Sequence, residues 1–435
     1  MSKRRVVITG AGMVGPLGLG RAACHDALAA GRSGIGPISL FDASRFPTSI
    51  AAEVKEFDAG RHAGLPPELA RAASDRKVGF LLAAWRMAVA EAFGGAGQAP
   101  VPPERRALSF GVGVEVFRME DMVPCCDEKG QFDAATLAAR LAGCSFLDSF
   151  RIPSDLGPSL VAQLGAVHGP RRVNVGACVA SAQALGEGFR LVQRGRADLV
   201  YAGGADSMIT PLAVAGFGLL AATSTSNHLG ARASRPFDKH RDGFVLGEGA
   251  AVLVLEERSA ALARGATILA EMVGYGTSMD AYRITDPAED GSGAARSMAR
   301  ALADAGLEPG DIGYINAHGT STVKNDQVET LAIKQVFGEQ ARRIPISSTK
   351  SMIGHAIGAA GALELAACLC CFERGFLPPT LNLETPDPAC DLDYVPGRAR
   401  PGRPRIVLSN SFGFGGQNAT LVMRRHEPDG QEAGQ

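Results

Sequence analysis

The chain has 435 residues, 46% of them hydrophobic and 20% charged, with 44 Lys+Arg against 45 Asp+Glu for a net charge of −1. That balance excludes the broad basic excess of a general nucleic-acid binder, while a local patch for an acidic protein partner remains compatible with it. No stretch approaches the roughly 18 consecutive apolar residues of a membrane helix, and the basic Met-Ser-Lys-Arg-Arg start is followed only by Val6–Ile8, too short for a signal peptide.

In chain order, short aliphatic runs alternate with longer helix-like stretches. The first run, Val6–Thr9, leads into Gly10, Gly12 and Gly15. This G-x-G-x-x-G pattern is the fingerprint of a dinucleotide-binding oxidoreductase. Pro16 and Gly18 interrupt the helix that should follow, and the nearest acid downstream, Asp42, sits in a Phe-Asp-Ala turn. A strand-to-loop turn that needs glycine for steric room is the simpler reading. Asp75–Phe93 then reads as a helix and Ala107–Val112 as a strand. Residues 115–150 have weak periodicity and read as an insertion, a lid or a dimer contact.

Arg172 to Cys178 is a short strand ending in small residues, and Val179–Arg194 reads as a helix stopped by Gly195. Cys178 therefore stands at a helix start, where unpaired N–H groups and the helix dipole favour a thiolate nucleophile. Taken alone it reads equally as a buried structural cysteine. The other eight cysteines are scattered, and the lone C-x-x-C, Cys368 to Cys371, lies in an apolar helix-like run. Neither a disulfide framework nor a structural zinc site is expected, and reduced thiols point to the cytoplasm.

A boundary is expected near Glu257, dividing residues 1–257 from 258–425, with 426–435 a disordered tail. In the second half, Ile315-Asn-Ala-His318 is a strand end entering a Gly/Thr/Ser turn. Ser348 to Glu364 is a second turn that carries Lys350 and His355 and opens a small-residue helix. Two histidines in such loops, together with a cysteine at a helix start, point to a catalytic constellation that only folding can assemble. Gly413 to Gly416 end another strand and could present backbone N–H groups to an oxyanion. The alternation predicts α/β layers with sheets covered on both faces, and the glycine-rich strand ends Gly203–Gly204 and Gly413–Gly416 echo one another between halves.

With these segments the chain resembles the elongating β-ketoacyl-[acyl-carrier-protein] synthases of the thiolase superfamily. The resemblance runs from Val6-Val-Ile-Thr-Gly-Ala-Gly12 to Ala419-Thr-Leu-Val-Met423, through Ala197 to Gly204, Arg235 to Phe244 and Gly247-Glu-Gly249. It implies an α/β, thiolase-like, five-layered α-β-α-β-α fold of two similar halves. It implies an acyltransferase performing decarboxylative condensation, with a triad of Cys178, His318 and His355. Lys350, bridged toward Glu364, would support the histidines. Thr320 and Thr322 would hold the phosphopantetheine arm, Phe217 would lie near the acyl pocket, and Phe414 would be a gate whose backbone N–H joins that of Cys178 in an oxyanion hole. No metal or redox cofactor is implied, since the substrates ride on an acyl carrier protein. A homodimer is expected, with a heterodimer with a second ketosynthase-like chain left open.

Departures cluster near the triad. The family often carries Thr or Ser at Gly176, His at Gln183, Thr at Gln417 and Pro at Val323, which leaves room for a specialised polyketide or polyene role. A thiolase would need a second cysteine in the last glycine loop, and an initiating synthase would have Asn in place of His355. A non-catalytic chain-length-factor-like scaffold would lack Cys178, and the oxidoreductase reading is weakened at Pro16.

Overall fold

The computed structural model describes residues 3–65, 75–94, 99–114, 123–142 and 154–427. The first half contributes strands β1 (Val6–Gly15), β2 (Arg106–Val112), β3 (Arg171–Asn174), β4 (Leu199–Ser207) and β5 (Glu248–Glu257). The second contributes β6 (Ala270–Met279), β7 (Tyr314–Asn316), β8 (Ile346–Ser347), β9 (Ile406–Gly413) and β10 (Gln417–Arg424). Their spatial orders are β3-β2-β4-β5-β1 and β8-β7-β9-β10-β6. Each half thus orders its own strands identically. In each, the second strand pairs parallel with both its neighbours and the remaining pairings are antiparallel. The halves join where Val6–Ile8 pair with Ala270–Met272.

The helices that matter here are α1 (Arg76–Phe93), α2 (Leu156–Leu164), α3 (Ala180–Gln193), α4 (Pro211–Leu219), α5 (Ser292–Ala305), α6 (Val323–Phe337) and α7 (Ala360–Glu373). α1 and α2 cover the outer face of the first sheet, and α5 and α6 that of the second. α3 and α7 lie between the sheets, sharing one core with strands of both halves. α7 is buried from Ala360 to Phe372. A helix apolar on every side belongs inside a layered core, and its Ala, Gly and Cys residues keep it slender enough to fit there. The result is the expected five-layered α-β-α-β-α arrangement.

The glycine pattern at the front has a different role from the one expected. Gly10, Gly12 and Gly15 lie within β1, which is buried throughout, and not in a turn after it. A Cβ on Gly12 would come within 1.8 Å of the Ala84 carbonyl oxygen, and one on Gly10 within 2.2 Å of that of Ala88. The glycines let α1 press its backbone onto the strand, which leaves no room there for a pyrophosphate. β5 ends at Glu257, whose carboxylate caps the helix Arg258–Ala263 by accepting the Ala260 N–H at 2.9 Å. Of the insertion at 115–150, residues 123–142 are described and include the helix Ala134–Ala142. Residues 115–122 and 143–150 lie outside the described residues, as do 428–435 of the expected tail. Among the described residues no helix is long and apolar enough to cross a membrane.

Candidate active site

The two central helices begin alike. A single 3-10 turn, Ala177–Val179, precedes α3, and another, Ile357–Ala359, precedes α7. Ala177 (φ 47) and Ile357 (φ 39) both occupy left-handed backbone that a side chain ordinarily avoids. The strained turn sets Cys178 at the head of α3, 5% exposed. His355 belongs to the loop before the second turn and is pinned on both sides of its backbone. Its N–H donates to Val245 O at 2.7 Å, and its carbonyl accepts from Gly247 N–H at 2.9 Å. This places His355 Nε2 3.0 Å from Cys178 Sγ.

His318 follows β7. The N–H groups of His318 and Gly319 each donate to one carboxylate oxygen of Glu329 on α6, both at 2.8 Å. Lys350 Nζ donates to His318 O at 2.6 Å, lies 3.4 Å from His318 Nδ1 and pairs with Glu364 of α7. An ammonium can only donate, so Nδ1 of His318 is the acceptor and its proton sits on Nε2. His355 Nδ1 has no hydrogen-bond partner among the described residues, so its tautomer is not fixed in this way. The two rings stand 5.4 Å apart and nearly perpendicular. One donor atom each from Cys178, His318 and His355 lie within 4.8 Å of one another. Such a set is one zinc can use, but a cation here would face the Lys350 ammonium.

Burial dominates the electrostatics. It pushes the Cys178 thiol up to about 11, against the smaller opposing effects of the Lys350 charge and the backbone N–H groups of Phe414 and Cys178. Burial, and then Lys350, hold both imidazoles well below their ordinary range. Burial thus disfavours the charged form of all three groups. At Cys178 it opposes the thiolate that the helix start favours.

A cavity of about 380 Å³ opens over Cys178, His318 and His355, bordered by Thr320, Thr322 and Phe414. The two threonine hydroxyls are 2.9 Å apart. Phe414 sits in a loop shaped by Gly415 (φ 83) and Gly416 (φ 73). Gly415 N–H donates to Ile284 O at 2.6 Å, and Asp280 N–H donates to Gly416 O at 2.7 Å. Phe217 does not border this cavity. It meets Phe244 edge-on at 5.6 Å, and Phe244 in turn meets His355 at 5.2 Å. Gly176, Gln183 and Gln417 come together: Gln183 Nε2 donates to Gln417 Oε1 at 3.3 Å, and a Cβ on Gly176 would lie 2.9 Å from Gln183 Oε1.

Three contributors were missed in the sequence. Phe244 lies at the end of the Arg235 stretch and packs on His355. Glu329 holds the His318 loop, and its signal was a second acid three residues after Asp326 on a helix face that continues into Ala332 and Ile333. Asp206, the last residue but one of β4, accepts Gly358 N–H and Ser207 N–H, both at 2.8 Å, so it steadies the turn after His355.

Residues 3–261 match the N-terminal domain of β-ketoacyl synthase, and residues 269–384 its C-terminal domain. The chain is 44% identical to 3-oxoacyl-[acyl-carrier-protein] synthase 2 of Synechocystis sp., over 98% of this chain and 99% of that protein. A type II polyketide ketosynthase structure, solved with its acyl-carrier protein and bound to a hexaketide, superposes with a TM-score of 0.84 at 31% identity, covering 98% of this chain and 100% of that one. The ishigamide ketosynthase/chain length factor superposes with a TM-score of 0.84 at 36% identity, over the same shares.

Proposed function

The chain belongs to the β-ketoacyl synthase family, and on that premise we propose how its own residues carry out the condensation. It is an acyltransferase of fatty-acid or polyketide chain elongation, working on thioesters carried by an acyl carrier protein. The observation that carries the mechanism is the 3.0 Å contact between Cys178 Sγ and His355 Nε2 beside a His318 whose proton is held on Nε2.

In the first step the Cys178 proton passes to His355 Nε2 as sulfur attacks the acyl thioester carbon. The carbon–sulfur bond to the carrier arm breaks, and the departing thiolate takes that proton. The developing oxyanion accepts the N–H groups of Cys178 and Phe414. A malonyl thioester then binds with its arm on Thr320 and Thr322. Its carbon–carboxylate bond breaks, carbon dioxide leaves, and the electron pair becomes an enolate. The enolate oxygen accepts a hydrogen bond from Nε2–H of His318, worth about 2.7–4 kcal/mol in comparable sites, and one from His355 in its Nε2–H tautomer, which its unpartnered Nδ1 leaves free to form between the two steps. The α-carbon attacks the acyl-Cys178 carbonyl, the Cys178 sulfur leaves as a thiolate that takes one proton from solvent, the proton consumed by the overall reaction, and a β-ketoacyl chain remains on the carrier.

Lys350 is a positioning residue in this account, fixing the His318 tautomer with Glu364 balancing its charge. Phe414 acts as the gate, and Phe217 reaches the acyl chain's space through Phe244. The chemistry uses no metal or redox group. The halves are taken as 1–257 and 258–425. The reading places the enzyme in the cytoplasm, where its thiols stay reduced, as a homodimer or paired with a chain-length-factor-like chain. A purely scaffolding subunit does not account for a cysteine set this close to a histidine. Incubation with an acyl-carrier-protein thioester and malonyl-acyl-carrier protein is expected to give a β-ketoacyl product. The Cys178→Ala variant is expected to give none, and retained product would refute the assignment.

A further inference from the structure

Cys178, His318 and His355 bring one donor atom each within 4.8 Å of one another, and all three residues are buried. The ligand atoms of a tetrahedral zinc stand about 3.3–3.6 Å apart, so small side-chain movements would complete three corners of a site. The fourth corner opens into the cavity.

Two of the three ligands are available. Cys178 binds a metal as thiolate, its Sγ–H proton passing to solvent. Nδ1 of His355 has no hydrogen-bond partner among the described residues, so that ring can carry its proton there and offer Nε2. Zinc settled on this sulfur would take away the nucleophile.

His318 is the exception. Lys350 Nζ lies 3.4 Å from its Nδ1 and donates to its carbonyl oxygen at 2.6 Å. A metal has two routes to this ring. At Nδ1 it meets the ammonium itself. At Nε2 it must displace the proton, and a proton moved to Nδ1 sets N–H against ammonium, donor against donor. The ammonium cannot turn aside, because it is buried and tied to Glu364 and to His318 O.

We propose that Lys350 keeps the nucleophile free of zinc by withholding His318 as the third ligand. Metal exclusion depends only on these side chains. Its use, an unblocked Cys178, rests on the reading of Cys178 as the nucleophile.

The test uses zinc and cobalt(II) salts alone with the full chain, and reads zinc affinity by competition with a chromogenic chelator. Lys350→Met with Glu364→Gln removes both partners and leaves the net charge of the pair unchanged. This variant is expected to bind zinc on the order of 10²-fold more tightly than the parent, the upper scale on which partners of a ligating histidine act. Cobalt(II) bound to the variant should show the sulfur-to-metal charge-transfer band of a thiolate ligand. Adding Cys178→Ala should remove that band, and adding either Cys178→Ala or His318→Ala should remove the gain in affinity. A second measurement needs only the parent: equimolar zinc should leave the rate of Cys178 alkylation by iodoacetamide within about twofold of the metal-free rate. Equal zinc affinity in parent and variant, a gain that survives Cys178→Ala or His318→Ala, or zinc protection of Cys178 in the parent would each overturn the proposal. None of these readouts uses condensation, so their failure is distinct from failure of the enzymatic reading.

Discussion

The Sγ of Cys178 lies 3.0 Å from Nε2 of His355. The pair has separable tasks: the sulfur is needed only where the acyl chain is held, whereas the histidines also serve the enolate. Cys178→Gln is therefore expected to abolish condensation while retaining release of carbon dioxide from malonyl-acyl carrier protein. Gas release measured without an acyl donor checks this, and loss of both activities would contradict the assigned roles.

The His318 proton is held on Nε2 by Lys350. Breaking one partner of a buried ion pair costs about 3–5 kcal/mol, so Lys350 and Glu364 are best neutralised together. Lys350→Met with Glu364→Gln is expected to slow decarboxylation by about 10²-fold, the scale of losing one well-placed donor. Acylation of Cys178 should fall much less, and equal losses in both steps would point to general damage.

Burial raises the Glu329 carboxyl from an ordinary value of 4.5 to about 7. Between those values the folded chain keeps a proton that the unfolded chain has released, so this contribution to stability falls as pH rises. It is fully present below about pH 4.5 and lost as pH passes about 7. The stability difference between parent and Glu329→Gln, measured by urea unfolding, should shift against the parent between about pH 5 and pH 8. A constant difference, or one moving in the parent's favour, would contradict this.

Gly176 leaves space for the Gln183–Gln417 bond, since a Cβ there would lie 2.9 Å from Gln183 Oε1. Gly176→Ser should break that bond and cost about 1 kcal/mol, the net worth of one hydrogen bond. In a Gln183→Ala background the same substitution should cost clearly less, because neighbours sharing one contact are not additive. Full additivity in a double-mutant cycle would remove the link.

Much of the site was legible because its residues stand where strands end. Cys178, His318, Lys350 and His355 each follow an apolar run and a small-residue turn. The repeat of the two halves showed only as an echo, since strand order is set by pairings far apart in sequence. Gly10 and Gly12 misled because glycine looks the same in a turn as in a strand pressed by a helix. The burial that opposes the thiolate was hidden for a related reason: the helix start is local, whereas the residues that bury Cys178 are distant in sequence. Glu329 and Asp206 were hidden because their partners, the backbone N–H groups of His318 and Gly358, carry no side-chain signature.

The central claim is that Cys178 carries the growing chain, and intact-protein mass after incubation with a panel of acyl-carrier-protein thioesters tests it most directly. The account expects one acyl mass per chain, mapped by peptide analysis to Cys178 and absent from Cys178→Ala. A folded protein that takes no adduct from any donor, or takes it on another residue, would contradict the account.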